Sequence, residues 1–235
     1  MSSAVMSPTG SLRVRAITPI HVDDAELERR RVRYAALAPP GVHVHLDNLP
    51  ADLDVPRQLD DADAIVDSDA FVVETARRTD PGRYDAVLPD CVLDPGLDRL
   101  RDEGFPLPVI GITELAATAT AVVGGRLAAV ARNEPIADEL ERRLRQYGLG
   151  PRFAGVHVLG LSFTDIADDV RWNAALAGAA RHFAGAGVTA ILNGCSAVEV
   201  RVGTGVPVFD PTRAALAVLG AAHASRLIPT GDRPR

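Results

Sequence analysis

Residues Tyr84 to Leu97 read YDAVLPDCVLDPGL. The apolar run Ala86-Val87-Leu88 predicts a short buried strand that stops at Pro89-Asp90. Asp94-Pro95-Gly96 then predicts the N-cap and first turn of a helix, over about 94–103. Cys91 therefore falls where a strand gives way to a helix. In a parallel α/β sheet that junction lies at the carboxyl edge, where ligands bind and where the free N–H groups of the next helix favour a thiolate. Cys91 is thus a candidate nucleophile or base, against the plain alternative of a small buried hydrophobe. A partner decides between the two.

Working outward, strands are expected at Leu12–Ile17, Val42–Leu46 and Pro108–Ile112 around the strand at 84–88, with helices at 23–37, 59–78 and after Thr113-Glu114. Gly124-Gly125 marks a second beginning. Strands at 126–131, 155–161 and 188–192 alternate with helices at 134–147 and 168–184. The strand at 188–192 runs into Asn193-Gly194-Cys195. Val208-Phe209 follows, and Asp210-Pro211-Thr212 caps a last helix to Arg226. The order of elements repeats, and each half delivers one cysteine from a strand end. This predicts an α/β fold of two similar domains with parallel sheets, which could face each other with one thiol apiece. The expected division is 11–113, completed by 208–228, and 114–207, with disordered tails at 1–10 and 229–235.

Composition removes several function classes. All 25 basic residues are arginine, so neither a lysine Schiff base with pyridoxal phosphate nor a Walker-type phosphate loop can be built. The segment Gly203-Thr204-Gly205 precedes a proline, not a helix, and is not a dinucleotide fingerprint. A net charge of -6 spread along the chain gives no footprint for nucleic acid or membrane. No apolar run is long enough to span a bilayer, and residues 1–12 lack the regions of a signal peptide, so a cytoplasmic location is expected. Two cysteines in a reducing compartment are expected as thiols, and two alone make no zinc site. The expected partners are a small-molecule substrate and further copies of the chain in a homo-oligomer, with no cofactor.

The motifs LPDCVLDPGL and ILNGCSAV, with PVIGITE and PVFDPTRAAL after them, resemble the aspartate/glutamate/hydantoin racemase superfamily. The likeness is to its hydantoin and allantoin racemase branch and covers about Leu12 to Arg226. It implies two Rossmann-like domains, an active site between them, and inversion of a carbon stereocentre without cofactors by two cysteines on opposite faces of the substrate. Cys91 and Cys195 take those roles by the resemblance. Asp90 and Val92, with Ser196 and Ala197 after the second thiol, would lie beside the substrate, as would Thr18, Pro19, Glu114, Arg132 and Asn133.

The chemistry suits the residues. Inverting a carbon acid needs a base on one face and an acid on the other, and a thiol whose pKa near 8.5 is lowered by a helix N-terminus can do either. Backbone N–H groups after each cysteine can hold the enolate oxygen. The chain departs from the branch at Thr18-Pro19-Ile20-His21, where an asparagine-rich motif is usual, and at Ala131-Arg132-Asn133, where threonines are usual. Asp90 would raise the Cys91 pKa if ionised and close. Arg132 reads either as a bidentate donor to a carboxylate or carbonyl or as a solvated strand end. His21 reads either as a further acid or base or as a loop hydrogen-bonder. The alternatives to a racemase are a maleate-type cis–trans isomerase using the same two cysteines and a non-catalytic two-domain binder. An arylmalonate-type decarboxylase fits less well, because such relatives keep only the second cysteine.

Overall fold

The computed structural model describes residues 10–201, 203 and 205–228. The expected tails, Gly10 apart, and Thr204 of the glycine loop lie outside the described residues.

Two parallel sheets are built on the same plan. In the first, β1 (Leu12–Ile17) is central, with β2 (Val42–Asp47) on one side and β3 (Ala86–Pro89) on the other. In the second, β4 (Leu127–Ala131) is central, with β5 (Phe153–Val158) on one side and β6 (Ala190–Asn193) on the other. Each chain half therefore moves outward from its first strand and then crosses back to the far side. That reversal opens a crevice at the carboxyl ends of the central and third strands. Cys91 follows β3 and Cys195 follows β6, so each thiol stands at a switch point.

The helices cover the sheets as the alternation requires. They are α1 (Asp24–Leu37), α2 (Ala62–Arg77), α3 (Leu97–Asp102), α4 (Ile112–Val123), α5 (Glu134–Leu144), α6 (Asp169–His182) and α7 (Pro211–Ala224). Asp23, Asp61, Asn133, Asp168 and Asp210 each accept the third following N–H and cap their helices. β7 (Val208–Phe209) pairs with β6 in the second sheet, while α7 packs back on α4 and α1. Of the segment 208–228, expected to complete the first domain, the strand is thus hydrogen-bonded in the second sheet and the helix spans both halves. One apolar core runs through both, from Leu12 and Ala16 by way of Ile112 and Leu216 to Leu127 and Leu192. It fixes how the two switch points face each other.

Three local expectations are corrected. Residues 108–112 make a single bridge, Val87 to Val109, because α4 already begins at Ile112. The helix expected over 94–103 starts only at Leu97, since Asp94 (φ 47°) and Gly96 (φ 74°) are left-handed and hold a turn. The helix expected to reach Tyr147 ends at Leu144 and passes into a wide turn over Arg145–Leu149 that Gly148 (φ 83°) allows.

Candidate active site

The two cysteine turns meet at one cleft with an empty volume of about 480 Å³. Cys91 and Cys195 both line it, together with Pro19, Asp90, Val92, Arg132, Ser196 and Ala197. Of the residues singled out in the sequence, these eight come together. Thr18 is buried behind the wall, where its hydroxyl donates to Asn48 Oδ1 and accepts from Leu49 N–H. Glu114 turns away to Arg101, and Asn133 caps α5. His21 Nδ1 lies 2.7 Å from the Leu49 carbonyl, as a loop hydrogen-bonder would. The remaining wall is mostly apolar, with Ile20, Leu59, Leu93, Ile136, Phe163 and Ile166.

In each turn the backbone N–H two residues beyond the cysteine works on the sulfur: Leu93 N–H donates to Cys91 Sγ at 3.4 Å, and the Ala197 N–H lowers the Cys195 pKa. The turns also touch, since Ser196 Oγ donates to the Asp90 carbonyl at 3.1 Å. Gly194 is required where it stands: a Cβ there would lie 1.9 Å from the Val130 carbonyl oxygen. Asn193 steadies the same turn, accepting from the Trp172 indole and donating to the Cys195 carbonyl.

Helix α1 holds both turns at once. Arg30 is buried and bridges Glu26 and Asp90, at 2.7 and 3.1 Å, while the Tyr34 hydroxyl donates to the other Asp90 oxygen at 2.8 Å. On the next face, Arg29 donates to the Ala197 carbonyl, and Arg33 donates to the Ser196 carbonyl while pairing with Asp210. Arg30 itself lines the cleft, which the sequence did not disclose. Its segment, Glu26 to Tyr34, reads as a charged surface helix, and only contacts made far along the chain mark the residue.

The electrostatics differ from the expectation that a helix N-terminus lowers the thiol pKa. Burial pushes the Cys91 thiol up, to about 12. The Leu93 N–H pulls the other way, and the negative fields of Asp90 and Asp94 add to the rise. The following helix offers little help because it starts six residues on and is short. Asp94 does not cap it; its carboxylate accepts the N–H groups of Thr113 and Glu114 and so caps α4. Burial raises that carboxyl to about 6. Burial also raises Cys195; the Ala197 N–H, Arg30 and Arg33 work against it while Asp90 adds to it, and the thiol stays raised.

Among the described residues no group of three or more His, Cys, Asp or Glu side chains could hold a metal, and no helix is long and apolar enough to cross a membrane. No curated protein matches the chain. Solved structures do. The allantoin racemase from Klebsiella pneumoniae aligns with a TM-score of 0.76 at 24% identity, covering 94% of this chain and 91% of that one. The allantoin racemase from Pseudomonas fluorescens gives 0.76 at 22%, covering 95% and 97%. The maleate isomerase Iso from Pseudomonas putida S16 gives 0.57 at 18%, covering 90% and 92%. These likenesses establish the two-domain fold. A family model described as Asp/Glu/Hydantoin racemase matches residues 28–219, which take in both cysteines and α1 from Glu28 onward, and the chain therefore belongs to that family.

Proposed function

We propose that this chain is a cofactor-independent racemase or epimerase that inverts a carbon stereocentre next to a carbonyl, with Cys91 and Cys195 as the two acid–base groups. The carrying observation is that two thiols, one from each sheet's switch point, line a single cleft. One sulfur removes the α-proton from one face while the other delivers a proton to the opposite face, and the carbanion's charge passes to the adjacent carbonyl oxygen. Burial holds the proton on both thiols; Arg30 and Arg33 oppose it at Cys195, while Asp90 adds to it at both and Asp94 at Cys91. Each thiol serves as base for one enantiomer and as acid for the other, and one turnover exchanges the roles. Hydantoin-like or ureido substrates suit the mostly apolar wall.

Proton exchange separates the alternatives. In deuterated water a racemase labels the substrate α-carbon, a maleate-type isomerase labels at most a vinylic carbon, and a binder labels neither. Absence of α-exchange over a panel of hydantoins, ureido acids, amino acids and dicarboxylates would refute the racemase reading. The same chemistry predicts indifference to metals: activity should survive prolonged dialysis against a chelator. A loss that a divalent ion restores would count against two thiols as sufficient.

The pH dependence has a defined sign. Both thiols are raised, so each keeps its proton to a higher pH than a free cysteine and the thiolate is scarce at neutrality. Below the pKa of the base its ionised fraction grows about tenfold per pH unit, so kcat/KM should climb between about pH 7 and 9. A profile that is flat or falls over that range would contradict the assignment.

A further inference from the structure

Both guanidinium groups on the cleft wall already have counter-charges. Arg30 is held by Asp90 and Glu26. Arg132, at the carboxyl end of β4, is buried, with its side chain 5% exposed. Its Nη2 donates to the Leu59 carbonyl at 3.1 Å and to the Asp60 carboxylate. Asp60 approaches from the solvent side, with its side chain 40% exposed. The Asn133 amide grips the same two groups, at 2.9 Å to the Leu59 carbonyl and 3.2 Å to Asp60 Oδ1.

A buried arginine facing an apolar cleft is an anion site unless a carboxylate of the protein fills it. We infer that Asp60 is a specificity-determining residue: by occupying Arg132 it makes the cleft accept uncharged carbon acids and reject those that carry a carboxylate. This rests on the cysteine cleft being the substrate site, as proposed above. An incoming carboxylate must either displace Asp60 or lie beside it against like-charge repulsion, and rejection by such repulsion is as effective as a new attraction. Removing the Asp60 charge leaves the loop anchored, because Arg132 and Asn133 keep their bonds to the Leu59 carbonyl. It takes away the carboxylate bonded to Arg132, leaving Asp165, which is paired with Arg171, as a more distant negative charge, and so opens the guanidinium to an external anion.

The test uses the cleft thiols as reporters. Iodoacetamide and iodoacetate differ only by the carboxylate; with each, the thiolate sulfur forms a bond to carbon as the carbon–iodine bond breaks and iodide leaves. The ratio of iodoacetate to iodoacetamide rates at Cys91 and Cys195, read by peptide mass, is expected to rise about tenfold in Asp60→Asn, the scale of one gained charge-assisted bond. Asp60→Ser should do the same. Asp54→Asn, which removes a charge from the same exposed loop without touching Arg132, should leave the ratio unchanged. Asp60→Asn with Arg132→Gln should return it to the wild-type value. An unchanged ratio in both Asp60 variants, or a rise that persists without Arg132, would overturn the inference. Protection against alkylation by a 5-substituted hydantoin and by its ring-opened N-carbamoyl acid is measured alongside. If the ratio shifts as expected but neither compound protects any variant, charge selection stands and the hydantoin-like reading fails.

Discussion

Replacing either Cys91 or Cys195 by alanine is expected to lower racemisation about a thousandfold or more, the scale that a positioned general acid or base contributes. Each direction of inversion needs both a base and an acid, so loss of one sulfur stops turnover in both directions. The two losses should not add in the double variant, because the groups act as a unit. The fold should survive, since the two turns are also held by bonds that do not involve sulfur: Ser196 to Asp90, and Arg29 and Arg33 to the carbonyls after Cys195. Circular dichroism and a thermal melt check that. Near-wild-type racemisation by either variant would remove the mechanism.

The second large effect concerns Arg30, and it falls on stability as well as on rate. Arg30→Met keeps the bulk of the side chain but leaves Asp90, itself buried, with only the Tyr34 hydroxyl of its two cleft-side partners. Glu26 keeps Arg29, so the stranded charge is Asp90. Breaking a buried pair from one side costs about 3–5 kcal/mol. For a chain of this size that corresponds to a fall in melting temperature on the order of 10 °C. Arg30→Met combined with Asp90→Asn should recover most of the loss, since no buried charge is then left alone. Activity should not recover, because Cys195 has still lost the cation that favours its thiolate. A single variant that melts with the wild type would show the pair to be dispensable.

Much of this site was legible in the sequence because its two thiols obey a local rule. An apolar run, a break and a cysteine place a side chain at a sheet's carboxyl edge whatever surrounds it, and the repeat of that pattern supplies the partner. What escaped depends on contacts between distant segments. Arg30 looks like one of several arginines in a solvated helix until Asp90, far along the chain, is brought against it. Arg132 read equally as a donor or as a solvated strand end, because the counter-charge that it meets on burial sits in a polar loop with no pattern of its own. Asp94 has the sequence of an N-cap for the helix beside it, yet a left-handed turn swings its carboxylate onto α4. The rise in the thiol pKa was legible only in part: Asp90 beside Cys91 was read as raising it, but the helix N-terminus was read as lowering it. A helix N-terminus can be read from residue types, but the desolvation that outweighs it is a property of the packed cleft.

Exchange with resolved enantiomers tests the two-thiol claim most directly. Each pure enantiomer of a substrate found by the exchange screen is incubated in deuterated water with wild type, Cys91→Ala and Cys195→Ala, and α-hydrogen loss is followed separately from loss of optical rotation. Wild type should exchange both enantiomers. Each alanine variant should exchange at most one, the two variants should differ in which one, and neither should racemise. If both variants retain exchange with the same enantiomer, or if either racemises at a rate near wild type, the thiols do not stand on opposite faces of the substrate and the account is wrong.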